Sequence, residues 1–97
     1  MSVAPKKRIK DIKGIPVAQR VEEALKKDKE YATHVKRLML DLFGVKESEI
    51  KGSFKDWKPS ERVSLYVKIR KALEDLVAEG KAEKKKDGKA YYYWWKE

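Results

Sequence analysis

Lys84, Lys85, Lys86 and Lys89 surround Asp87-Gly88 near one end of the chain, and Lys6, Lys7 and Arg8 sit near the other. Ammonium and guanidinium groups at this density share one general chemistry, the neutralisation of phosphates with release of their condensed counterions. A third set, Ser60, Ser64, Lys68 and Lys71, recurs at three- and four-residue steps. A helix brings such residues onto one face, placing hydroxyls and ammoniums side by side. Lysines there can donate to guanine edges, and a helix N-terminus near Ser60 adds attraction for phosphate.

The residues needed for turnover are not arranged for it. The chain has no Cys, which excludes disulfides, thiolate metal sites and a cysteine nucleophile, and its one histidine, His34, cannot build a multi-histidine metal site. His34 lies off the main apolar stripe and reads as an ordinary surface or boundary histidine. There is no phosphate-cradling glycine loop, and the carboxylates alternate with lysines rather than forming isolated pairs. The expectation is a non-enzymatic protein with no catalytic residue, metal or cofactor.

Charge gives the same direction. Of 97 residues 42% are charged, and the net charge is +9. Residues 1–14 carry five positive and one negative charge, 15–57 nine and eight, and 58–97 eleven and seven, so the excess sits at the two ends as +4, +1 and +4. Segregation of this kind favours an anionic partner over a merely solvated surface. No apolar run approaches the roughly 18 residues of a membrane span, and no apolar stretch follows the basic N-terminus. Neither a span nor a secretory signal is expected, and a cytoplasmic, nucleoid-associated location follows. The absence of Asn, with a single Gln at position 19, points to a thermophile.

The elements that must position the cations can be read around the apolar residues. From Ser60 to Glu79 no Gly or Pro interrupts a pattern in which Leu65, Ile69, Ala72, Leu73, Leu76 and Val77 share one face, flanked by Val63 and Tyr66. Ser60 is the expected cap, after Pro59. Acids gather late, at Glu74, Asp75 and Glu79, so only the N-terminal half suits an anion. After Gly80, Asp-Gly predicts a hairpin with strands near 81–85 and 89–95 and a turn at Lys86-Asp87-Gly88. In the second strand Ala90, Tyr92 and Trp94 point one way and Tyr91, Tyr93 and Trp95 the other. The outward set covers the sheet, seals a homodimer or protein contact, or stacks on unpaired bases, the last ranked behind the others because the lysines lie at the tip.

Upstream, residues 1–14 form a basic arm that either follows phosphates or solubilises the chain. Val17, Val21, Ala24 and Leu25 predict a helix opening at Pro16, and Tyr31, Val35, Leu38, Met39 and Leu42 continue its apolar phase up to Gly44. Asp28 interrupts that phase, and burying it unpaired is costly, so two helices meeting near Asp28 and Lys29 are preferred to one bent helix. Between Gly44 and Pro59 a short helix near Ser48 turns Ile50 and Phe54 inward, and Trp57 lids the core.

The segment SLYVKIRKALEDLVAEG followed by KKKDGKAYYYW resembles the C-terminal half of a winged-helix domain. The resemblance implies an α+β, mostly helical fold, a winged helix-turn-helix with a C-terminal two-stranded β-hairpin wing over residues 15–97. It makes 60–79 the recognition helix, 81–95 the wing, and the segment around Ile50 the second helix of the helix-turn-helix. It further implies that the helix enters the major groove of double-stranded DNA while the wing meets phosphate or the minor groove, as in a small archaeal or viral regulator or a chromatin-type protein. RNA, or a place as an accessory or structural subunit of a polymerase-associated or ribosomal complex, is the alternative.

Overall fold

The computed structural model describes residues 16–57 and 60–96. The basic stretch 1–14, with Lys6, Lys7 and Arg8, and the Lys58-Pro59 step lie outside the described residues. Three α-helices and a C-terminal antiparallel hairpin make a small α+β domain there.

Helix α1, Val17–Lys27, buries Val21 and Leu25 and carries Lys26 and Lys27 in its last turn, where the helix dipole favours cations. It stops at Asp28, which is exposed. The chain then leaves helical geometry as far as His34, so the apolar phase is not carried through. Tyr31, expected inside, is 69% exposed. Thr33 in this extended stretch instead pairs with Tyr93, its N–H donating to the Tyr93 carbonyl at 2.8 Å and its carbonyl accepting from the Tyr93 N–H at 2.7 Å. Helix α2, Val35–Phe43, begins at His34, buries Val35, Leu38 and Met39, and ends at Gly44 with the Val45 N–H donating to the Met39 carbonyl at 3.2 Å.

The segment from 45 to 57 is not the helix expected around Ile50. It forms two single turns of 3-10 helix, Glu47–Glu49 and Phe54–Asp56. Gly52 between them takes φ +89°, a backbone conformation closed to a continuing right-handed helix. Ser53 then turns back through its N–H and hydroxyl to the Asp56 carboxylate, at 3.3 and 3.2 Å. Val45, Ile50 and Trp57 still reach the core, while Phe54 remains 46% exposed. Arg62 donates to Glu49 at 2.7 Å and ties this segment to the next helix.

Helix α3, Glu61–Ala78, buries Ile69, Ala72, Leu73 and Leu76 against α1 and α2. Ser60 does not cap through its side chain; its carbonyl accepts from Val63 and Ser64 as an ordinary first turn. Strands β1, Ala82–Asp87, and β2, Ala90–Trp95, pair from Ala82↔Trp95 to Asp87↔Ala90. The first strand therefore runs two residues further toward the tip than expected, the second starts one residue later, and the loop is Gly88-Lys89. Gly88 takes φ +66° at the first loop position, where a two-residue hairpin calls for glycine. Of the face shared by Tyr91, Tyr93 and Trp95, Tyr93 is 2% exposed and Trp95 packs on the core but Tyr91 is 45% exposed. Ala90, Tyr92 and Trp94 on the other face are half-buried, so burial does not divide the strand into one packed and one outward set.

Truncation of Leu73 to Ala is expected to cost about 3 kcal/mol, the usual range for a fully buried leucine. Tyr31→Ala, outside the helices, is expected to change stability by less than about 0.5 kcal/mol. Urea unfolding followed by tryptophan fluorescence checks both, and a large cost at Tyr31 would argue for a continuous helix across 28–34.

Candidate nucleic-acid interface

The helical phase of α3 does what the spacing requires. Ser60, Ser64, Lys68 and Lys71 are all exposed, and Val67 joins them at 54% exposure. Neither Lys68 nor Lys71 forms an ion pair among the described residues. Asp75 and Glu79 follow on the exposed side toward the C-terminus, so the basic character of this face is confined to its N-terminal two-thirds.

The hairpin lysines do not form one patch. Side chains alternate along β1, so Lys84 and Lys86 share a face with their partners Tyr93 and Tyr91, while Lys85 opposes Tyr92 on the other face. Lys84 donates to Glu74 of α3 at 2.7 Å and lies 5.0 Å from the centre of the Tyr91 ring. Its charge is largely answered within the fold. Lys85, Lys86 and Lys89 are exposed and form no ion pair among the described residues. The tip thus offers three cations to solvent on two sides of a thin ribbon. The Tyr93 hydroxyl also donates to Glu74. The Lys84 ammonium and then the Tyr93 hydroxyl hold the Glu74 carboxyl below its usual range. Burial, followed by the hydrogen bond to Glu74, pushes the Tyr93 phenol well above its own.

Between α3 and the tip half of the hairpin lies a groove of about 560 Å³, lined also by the 52–57 segment and the start of α2. Phe54, Trp57 and Tyr66 meet there edge to face, with ring centres 4.8 to 5.5 Å apart. Tyr91, 45% exposed, lines the groove from β2, and Lys36, Arg70 and Lys89 supply cations around it. No carboxylate is among its described lining residues. Sequence reasoning missed this site, having turned Phe54 into the core and left Lys36 and Arg70 unassigned. The available signal was the spacing of Tyr66 and Arg70, one turn apart on the edge of α3 that must adjoin the hairpin.

His34 sits at the rim of the groove. Its Nδ1 accepts the Arg37 backbone N–H at 3.2 Å, capping α2, and its ring packs edge-on against Tyr92 at 5.4 Å. Partial burial, then the charges of Arg37 and Lys36, hold the imidazole below its usual value, with Asp41 opposing weakly. No cluster of three metal-ligating side chains occurs among the described residues, and no described helix is long and apolar enough to cross a membrane.

A depressed imidazole pKa means that the unfolded chain takes up a proton which the fold resists, so this group's contribution is complete above about pH 6.5 and is lost as pH falls below it. Stability is expected to drop between pH 7.5 and 5.5, and His34→Asn, which caps without titrating, to flatten that part of the profile. An unchanged slope in denaturant titrations would show that His34 is not the group responsible. Comparisons with protein-family models, curated proteins and solved structures return no match, so the reading of the chain rests on its own geometry.

Proposed function

We propose that the chain is a non-enzymatic winged-helix protein that binds double-stranded DNA, with α3 as recognition helix and the β1–β2 hairpin as wing. The observation that carries this reading is the exposed stripe of Ser64, Val67, Lys68 and Lys71 on α3, with the exposed Lys86 and Lys89 on a hairpin that Glu74 ties to that helix through Lys84 and Tyr93. The order of elements supports it: a helix, an extended residue paired to the last strand, a second helix, a third helix and a hairpin. The second helix in this reading is α2, and the 45–57 segment becomes a long turn before the recognition helix.

Mechanistically, Lys85, Lys86 and Lys89 neutralise phosphates and provide affinity that does not depend on sequence, joined by Lys6, Lys7 and Arg8 of the arm. Lys84 contributes less, because Glu74 already holds it. Lys68 and Lys71 donate to guanine O6 or N7, Val67 offers an apolar contact to a thymine methyl, and Ser60 and Ser64 bond to phosphate or base edges. With two long cations and one methyl-bearing side chain as readers, sequence discrimination is modest. This suits a small regulator or chromatin-type protein on the nucleoid. The half-buried Tyr92 and Trp94 on the outer hairpin face, which line a shallow surface with Ala32, favour a second reading in which the chain docks to a larger nucleic-acid assembly through that face.

Fluorescence anisotropy with labelled duplex DNA, single-stranded DNA and structured RNA at several salt concentrations separates the readings. Lys68→Ala with Lys71→Ala is expected to weaken binding to preferred duplexes and alter sequence preference. Neutralising Lys85, Lys86 and Lys89 is expected to weaken all duplexes alike and to reduce the slope of log K against log salt by about 0.9 for each phosphate no longer neutralised. Both variants binding like the parent protein would overturn these roles.

A further inference from the structure

From the groove beside α3 we infer a second nucleic-acid site, one that takes an unpaired nucleotide by stacking its base between aromatic rings and holding its phosphate with the surrounding cations. The inference rests on the nucleic-acid reading above, and adds to it that the protein prefers DNA in which a duplex passes into single strand.

Four large apolar side chains are markedly exposed among the described residues, and two of them, Phe54 at 46% and Tyr91 at 45%, line this one groove from separate parts of the chain. Two aromatic rings left nearly half exposed in one groove make an apolar surface of the kind that marks a contact site. The rings are already oriented. Phe54 packs edge to face on both Trp57 and Tyr66, and Trp57 is pinned by its Nε1–H donating to the Gly52 carbonyl at 3.4 Å. A partner entering there loses little free energy in ordering the walls.

Charge selects the partner. Lys36, Arg70 and Lys89 ring the groove, none forms an ion pair among the described residues, and no described lining residue is acidic. A purely apolar occupant has no use for three cations, and a phosphate alone has no use for the aromatic walls. A nucleotide uses both, since every base has a π face and every link an anionic phosphate. The volume of about 560 Å³ lies in the range of sites for compact organic groups. Position completes the case: Arg70 lies on α3 within one turn of Val67 and Lys71, and Lys89 is in the hairpin loop. Helix α3 thus carries both the exposed lysine stripe and, at Tyr66 and Arg70, one wall of the groove.

The test compares three labelled DNAs bound by the full chain: a blunt duplex, the same duplex with a short thymidine overhang, and the same overhang made of abasic residues that keep every phosphate. The overhang with bases is expected to bind roughly tenfold more tightly than the blunt duplex, and the abasic overhang to lose most of that gain. Phe54→Ala, which also gives up packing on Trp57 and Tyr66, and Tyr91→Ala are each expected to erase the preference while leaving blunt-duplex affinity near that of the parent. Equal gains from abasic and base-bearing overhangs would overturn stacking in favour of plain charge. Blunt-duplex binding with no overhang preference overturns the groove inference and leaves the duplex reading standing. Tight single-strand binding without duplex binding, sensitive to Phe54 and Tyr91, does the reverse. A polyglutamate peptide that binds at the groove while none of the DNAs binds overturns both.

Discussion

Tyr93 is the residue on which the arrangement depends. It is 2% exposed in the middle of β2, its backbone exchanges two hydrogen bonds with Thr33, and its hydroxyl donates to Glu74 of α3. An isolated two-stranded hairpin is marginal in water. This one is fixed because a single residue joins it to the helix in front and to the extended stretch before α2. Glu74 doubles the attachment by accepting from Lys84 of β1 at 2.7 Å. The hairpin therefore stands at a set angle beside α3, and its loop carries Lys89 to a defined place rather than sweeping through solvent.

That constraint sorts the charges. Several carboxylates are used inside the fold, Glu74 on Lys84 and Glu49 on Arg62, or in single-turn pairs such as Glu22 with Lys26 and Asp41 with Arg37. Exposed pairs of the last kind stabilise little. Lys68, Lys71, Lys86 and Lys89 form no ion pair among the described residues, which leaves their charges open to an anionic partner. The aromatic walls of the groove between α3 and the hairpin come from three separate parts of the chain.

Local physics made α3, its glycine stop and the hairpin legible in advance. An uninterrupted 3.6-residue period, Gly80 and Asp87-Gly88 are signals that act within a few residues. Asp28 announced the end of α1 for a similar reason, the cost of burying its charge. What escaped detection was non-local. Thr33 pairs with Tyr93, far along the chain, through backbone atoms that leave no side-chain pattern, and this pairing, not a helix, decides that Tyr31 points outward. The 45–57 segment looked helical because Ile50 and Phe54 are spaced for one face, but Gly52 at positive φ and the turn from Ser53 to Asp56 dominate. The three adjacent lysines read as one patch until the pleat of β1 and the pull of Glu74 divided them. The groove was invisible because Phe54, Tyr66 and Tyr91 come together only in the folded chain.

The most direct measurement of whether α3 and the hairpin tip form one DNA-binding surface is a titration of the isotopically labelled chain with a blunt duplex, followed by amide chemical shifts at low and moderate salt. If they do, the largest changes gather on Ser64, Val67, Lys68, Lys71, Lys86 and Lys89 and shrink together as salt rises. Changes confined to α1, or to Tyr92 and Trp94 on the outer hairpin face, would contradict a shared surface and place the interface on the opposite side of the molecule.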